Sequence, residues 1–134
     1  MMKLEKQVTS LELSKKLKEL GVKQDSLFYW MENITNVEPT KIMFYKDTES
    51  YKRTKKVEGG GVIKYFSAFT ASELWEILPD VFKHKEGYLH RRVLSGSFQY
   101  CIGDEVILTQ SGFTLPDMMG KMLMYLIKNK LIEI

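Results

Sequence analysis

The chain has 134 residues, a length typical of one compact domain, and its 44% hydrophobic and 28% charged residues are an ordinary globular composition. A net charge of +3, from 20 basic and 17 acidic residues, is too small to indicate nucleic-acid binding by itself. The single cysteine, Cys101, excludes an intramolecular disulfide and fits a reducing cytoplasm. No apolar run approaches the roughly 18 residues of a membrane span, and the first nine residues lack a signal-peptide core. We therefore expect no membrane association.

Three threonines mark predicted helix starts. Thr9, Thr70 and Thr114 each follow an apolar residue and precede an acidic residue by three positions. In a capping box the threonine hydroxyl accepts from the backbone N–H of that acidic residue, whose carboxylate reaches back to the N-cap. We therefore interpret the similarity between residues 8–20 and 69–80 as helix-start chemistry and not as a repeated functional motif.

Apolar residues at helical spacing follow each start. The first helix is expected to run to about Leu20 with Gly21 as its stop, and Pro79 ends a short second helix. The residues predicted to face inward are Leu13, Leu17 and Leu20, then Leu74, Ile77 and Leu78, and finally Met118, Met119, Met122, Leu123, Leu126 and Ile127. The last stripe is wide enough to need a sheet or a partner chain to cover it.

Three strands are predicted between the first two helices. Residues 26–31 are apolar on both alternating faces, which predicts a strand covered on both sides. Residues 41–45 and 62–66 are further predicted strands. The polar stretch 46–61 ends in three glycines, lacks the phosphate-loop pattern, and is interpreted as a mobile loop or a long hairpin.

Residues 88–110 predict a three-stranded meander with two-residue turns at 95–96 and 103–104. These turns pair Val93 with Phe98, Arg92 with Gln99, Arg91 with Tyr100, His90 with Cys101, Tyr100 with Ile107 and Cys101 with Val106. The face predicted to meet water or a ligand is the more polar one, with His90, Arg92, Leu94, Gln99 and Cys101.

The order of elements is helix, strands, helix, meander, helix. This order predicts an α+β fold in which three helices pack on a mostly antiparallel sheet. We expect residues 1–134 to form a single domain, because no linker and no internal repeat interrupts the pattern.

Sequence motifs for catalysis and metal binding are missing. His84, His90 and Cys101 show no paired-ligand spacing, so we expect no metal site and no cofactor. Cys101 lies within a predicted strand, with no helix start or loop to activate it, and is interpreted as buried and inert. We therefore favour a protein that is not an enzyme. An enzyme acting on a small nucleotide through His90 or a carboxylate stays a third hypothesis.

Two basic stretches, 46–56 and 83–92, interleave with tyrosines. Each is either a solvated surface or an anion-binding patch. The candidate ligand-binding residues are Tyr51, Lys52, Arg53, Lys55 and Lys56 in the loop, and His90 and Arg92 on the meander. Arginine and lysine pair with phosphates, and a tyrosine stacks on a base. A nucleotide-type ligand is expected, and nucleic acid stays open.

Three blocks of sequence carry a resemblance. "SLELSKKLKELGVKQDSLFYW", "FTASELWEILPD" and "MGKMLMYLIKNKLIEI" occur in this order. Together they resemble a broad group of small, uncharacterised proteins encoded by bacteriophages and prophages. The resemblance implies a setting in the host cytoplasm during infection or lysogeny, and it implies neither an activity nor site residues.

Together, these features predict a non-enzymatic phage-encoded binding protein. In that setting a counter-defence role is expected, either sequestering a nucleotide-type signal or inhibiting a host factor protein. The alternative is a structural or assembly protein that acts through self-association, because the methionine-rich last helix and strand 26–31 offer apolar surface. A homo-oligomer is expected in either case.

Overall fold

The computed structural model describes residues 3–33, 40–46, 63–85 and 87–134. A short 3-10 helix (Leu4–Lys6) precedes the other elements, which in chain order are α1 (Leu11–Glu19), β1 (Phe28–Asn33), β2 (Lys41–Phe44), β3 (Ile63–Ala68), α2 (Ala71–Ile77), β4 (Val81–His84), β5 (Gly87–Leu94), β6 (Ser97–Ile102), β7 (Glu105–Ser111) and α3 (Leu115–Lys128). The predicted α+β class is confirmed. The strands of the described ranges form two antiparallel sheets, ordered β2-β1-β3 and β4-β5-β6-β7.

The predicted starts of α2 and α3 are confirmed. The Thr70 hydroxyl accepts from the Glu73 N–H at 3.2 Å, and the Glu73 carboxylate accepts from the Thr70 N–H at 2.9 Å, which completes the capping box. The Thr114 hydroxyl accepts from the Asp117 N–H at 3.3 Å, and proline stands in the first turn of α3. Both starts depend on partners three residues apart, so the local sequence is sufficient to specify them.

The predicted start of α1 is wrong by one residue. Ser10 and not Thr9 is the N-cap, and its hydroxyl accepts from the Leu13 N–H at 3.3 Å. The predicted box between Thr9 and Glu12 is replaced by a long-range contact, in which the Asp117 carboxylate accepts from the Ser10 N–H at 2.9 Å. The first turn of α3 therefore holds the first turn of α1.

Thr9 is displaced from the cap because it is needed elsewhere. It is fully buried, its hydroxyl accepts from the Phe69 N–H at 3.1 Å, and it lies 2.7 Å from the Ser14 hydroxyl. The Thr9 carbonyl accepts from the Trp30 indole N–H at 2.8 Å. One residue thus connects α1, the three-stranded sheet and the entry to α2.

The main core lies between the helices and one face of the four-stranded sheet. α3 packs on β6 and β7 and also contacts α1 and α2. The inward stripe of α3 is confirmed, with Met118, Met119, Met122, Leu123 and Leu126 buried and Ile127 partly buried. None of the described helices is long and apolar enough to cross a membrane.

Two other predictions of burial need correction. Ile77, the last residue of α2, is 36% exposed, whereas Leu78, whose backbone is extended, is buried as predicted. The second correction concerns β1, which was predicted to be covered on both faces but is only partly buried. Met31 is buried, whereas Phe28, Tyr29 and Trp30 are only half-buried.

The meander was predicted with one error and one omission. The predicted pairing of β5 with β6 is confirmed from Val93–Phe98 to His90–Cys101, and Cys101 pairs with Val106. A β-bulge after Tyr100 pairs this residue with Leu108 and not with Ile107. The short edge strand β4, which pairs with β5, was not predicted.

Candidate functional site

The four-stranded sheet has one face in the core and one face turned away from it. Phe82, Leu89, Phe98 and Tyr100 pack into the core. Paired residues of neighbouring strands share a face, so the register also identifies the residues on the face that points away from the core. We call this set the outer face, and its members are Val81, Lys83, Tyr88, His90, Arg92, Leu94, Ser97, Gln99, Cys101, Val106, Thr109 and Ser111.

Most of the outer face is accessible. Tyr88 is 62% exposed, and Lys83 and His90 are exposed beside it. Val81, Leu94 and Val106 surround this polar centre with exposed apolar side chains. The combination is amphipathic, which suits a ligand that has both a planar and a charged part.

The ionisable charge on the outer face is of one sign. Lys83 lies directly opposite Tyr88 on the neighbouring strand. Tyr88, His90 and Arg92 are alternate residues of β5, so neighbouring members of this row are about 7 Å apart. None of the twelve outer-face residues carries a carboxylate, and within the described ranges no ion pair neutralises Lys83 or Arg92.

Arg92 is held in place by a neutral group. Its Nε and Nη2 atoms donate to the Gln99 Oε1 atom at 3.1 and 2.9 Å. The Gln99 amide is itself oriented, because its Nε2 donates to the Ser97 hydroxyl at 3.2 Å. The guanidinium is therefore positioned without losing its charge, which is the state needed to pair with a phosphate or carboxylate.

Cys101 lies on the same face but is covered. Its thiol is buried, as predicted, and its sulfur is 3.9 Å from the Gln99 Oε1 atom. His90 is opposite Cys101 in the register, as predicted, and is itself exposed. Within the part of the chain that the structure describes, no group of His, Cys, Asp and Glu residues is arranged to hold a metal ion.

The predicted site residues divide into two groups. His90 and Arg92 are brought together on the outer face of β5. Tyr51, Lys52, Arg53, Lys55 and Lys56 lie outside the described residues.

Lys83 and Tyr88 were not predicted as site residues, because the strand β4 that aligns them was missed. The alternation of polar and apolar residues over Val81–His84 was the available signal.

A second basic surface lies on α1 and β3 but is already occupied by the chain itself. The Lys15 and Lys18 ammonium groups lie 5.6 and 5.0 Å from the centre of the Phe66 ring. Lys15 forms an ion pair with Glu32 at 2.8 Å, and Lys18 donates to the Tyr65 carbonyl at 3.0 Å. These lysines stabilise the contact between α1 and the three-stranded sheet, so this surface is a weaker candidate than the outer face.

Comparison with known proteins adds no further constraint. No protein-family model, no curated protein and no solved structure matches the chain. The resemblance to phage proteins therefore stays a prediction from sequence, and the site must be judged by its own geometry and charge.

Proposed function

We propose that the protein binds a nucleotide-type anionic ligand on the outer face and does not transform it chemically. One observation carries this proposal. Lys83, His90 and Arg92 stand with the exposed Tyr88 ring on one sheet face whose residues include no carboxylate. Arginine pairs with phosphate oxygens, and tyrosine stacks on bases, so the row offers both kinds of contact.

The order of residues along β5 suggests an orientation for the ligand. Tyr88 and Arg92 are four residues apart, which is about 13 Å along a strand. A base over Tyr88 would leave its phosphates near His90 and Arg92, with Lys83 beside the base. This length favours a nucleotide with an extended phosphate chain over a small inorganic anion.

The biological setting comes from the resemblance alone. In a host cell under infection, a protein that holds a nucleotide-type signal would lower the concentration of that signal and so act in counter-defence. The predicted loop residues are not required for this proposal, which uses the residues of β4 and β5.

The experiment is a binding measurement with a matched charge control. Isothermal titration calorimetry with a nucleoside triphosphate would compare the wild type with the Lys83→Glu/Arg92→Glu variant. The control variant Lys16→Glu/Lys23→Glu has the same change in net charge on exposed lysines outside the site. We expect the outer-face variant to bind at least about tenfold more weakly, because two charge-assisted contacts become repulsive.

Three outcomes would contradict the proposal. They are no binding by the wild type, unchanged affinity in the outer-face variant, and an equal loss in the control variant. The last result would mean that net charge and not the site attracts the ligand.

The alternative, a structural protein that acts through self-association, rested partly on the methionine-rich last helix. The methionines that suggested a self-associating helix, Met118, Met119 and Met122, are buried in the core of the chain itself. Ligand binding on the outer face is therefore the function that we favour.

A further inference from the structure

α2 and α3 start side by side, and a groove runs between them on the side of the four-stranded sheet that α3 covers. Two adjoining hollows of about 480 and 310 Å³ form this groove. They share Ala71, Ser72 and Leu115, so they are continuous. We call this surface the helical groove. It lies on the opposite side of the sheet from the outer face.

An exposed aromatic ring stands at the edge of the groove. Phe113 is 107% exposed and lines the larger hollow. Trp75 and Leu115, which line the smaller hollow, are also exposed. An unburied phenylalanine next to an apolar groove is typical of an interaction surface, because large aromatic side chains supply most of the energy of many interfaces.

We propose that the helical groove is the interface of a symmetric dimer, in which Phe113 of each copy enters the groove of the other. A two-fold interface uses the same surface on both copies, so a protruding group and the hollow that receives it must lie next to each other. Phe113 and the hollows meet that requirement. Either hollow has room for the ring, since a cavity of about 150 Å³ holds benzene.

The charges of the groove are self-complementary as well. Lys6 lines the larger hollow and Glu76 lines the smaller one, so the two adjoining hollows carry opposite charges. Both side chains are exposed, and neither forms an ion pair within the described ranges. A two-fold axis across the groove would bring Lys6 of each copy to Glu76 of the other.

The dimer is independent of ligand binding. Because the groove and the outer face are on opposite sides of the sheet, two outer faces would point away from each other. Each copy would keep its own ligand surface accessible.

The first test is analytical ultracentrifugation of the full chain from about 1 to 200 µM, which spans weak dimer affinities. The wild type is expected to be a dimer in this range. Phe113→Ser is expected to raise the dimer dissociation constant at least about thirtyfold, as loss of an interface anchor does. Leu27→Ser, at an exposed leucine outside the groove, is expected to leave it within about twofold. Circular dichroism would confirm that the variants are folded.

The second test uses the symmetry of the charges. Lys6→Glu and Glu76→Lys should each weaken the dimer about fivefold, because each places two like-charged pairs across the axis. The double variant should recover wild-type affinity, since both pairs are restored with exchanged sign. A monomeric wild type at the highest concentration would overturn the proposal. So would a dimer that Phe113→Ser leaves intact, or a double variant without recovery.

Discussion

Arg91 and Arg92 are neighbours in β5, yet they belong to two different surfaces. Arg91 points to the core side, where its Nη1 donates to the Trp75 and Leu78 carbonyls at 2.6 and 3.1 Å. Its guanidinium lies 3.4 Å from the centre of the Trp75 ring and pairs with the Asp80 carboxylate. The side chain is only 12% exposed.

The Arg92 side chain points the other way and is half-buried, and the Gln99 amide holds its guanidinium in place. On the core side the arginine completes the end of α2, whose last carbonyls would otherwise lack donors. On the outer face the charge of the Arg92 guanidinium stays available to bind a ligand. A basic residue of this sheet is therefore available for binding on the outer face, because folding uses the donors on the core side.

Replacing each of these two arginines in turn should change the stability of the protein by very different amounts. Arg91→Leu should lower the free energy of unfolding by about 3 kcal/mol, since two hydrogen bonds from a charged donor and the stacking on Trp75 are lost. Arg92→Leu should change it by less than about 0.5 kcal/mol. Urea denaturation of both variants measures the difference. Equal losses in the two variants would refute the distinction between the faces.

The packing of the helical side can be tested at Gly120. A Cβ atom there would lie 2.6 Å from Leu13 Cδ2 and 3.1 Å from Thr9 Cγ2, and both residues are buried. Overpacking of this kind outweighs the helix propensity that alanine adds, so Gly120→Ala should destabilise the protein by about 1–2 kcal/mol. Thermal denaturation beside the exposed-site control Lys128→Ala checks it. A more stable Gly120→Ala variant would mean that α1 can shift away from α3 at little energetic cost.

On the core side, the ionisation of Tyr100 should make the stability of the protein depend on pH. Burial raises the pKa of the Tyr100 hydroxyl, Asp80 raises it further, and Arg91 opposes both. The folded protein therefore keeps a proton that the unfolded chain releases above about pH 10. This contribution to stability is complete below pH 10 and is lost as the pH rises further, at up to about 1.4 kcal/mol per pH unit.

Urea midpoints at rising alkaline pH would measure this slope in the wild type and in Tyr100→Phe. The variant loses the hydrogen bond of 2.8 Å to the Pro79 carbonyl and should be less stable at neutral pH. Its stability should fall less steeply above pH 10. Parallel curves for the two proteins would show that Tyr100 ionises as readily folded as unfolded.

Losing the orientation of Arg92 should have only a modest effect on ligand affinity. Gln99→Leu removes the acceptor of both guanidinium bonds but leaves the charge of the outer face unchanged. Affinity for a nucleoside triphosphate should fall about threefold, with the same dependence on salt. Arg92→Gln should weaken binding more and make that dependence shallower, because one charge is gone. An unchanged affinity in Gln99→Leu would show that Arg92 needs no positioning.

The sequence was sufficient where the interactions are local. The starts at Thr70 and Thr114 use partners three residues away. The glycine-containing turns at 95–96 and 103–104 fix most of the meander register, and this register correctly placed His90 and Arg92 on one face.

The sequence was insufficient where distant parts of the chain compete for the same group. The local sequence does not show that the Thr9 hydroxyl accepts from the Phe69 N–H instead of capping α1. Nor does it show that the Asp117 carboxylate accepts from the Ser10 N–H. The strand β4 has only four residues, so its alternation was a weak signal, and its pairing with β5 establishes it as a strand.

The amino-acid pattern was thus enough to predict the α+β class, the helix starts made by local capping, and the alternation that separates the two faces of the meander. Which basic residues remain available for binding depends on long-range packing. The fold aligns Lys83 with Tyr88, uses Arg91 to hold the end of α2, buries Met118, Met119 and Met122, and leaves Phe113 exposed. Caps and turns are satisfied within a few residues, whereas burial and charge neutralisation depend on which distant residues the fold brings near.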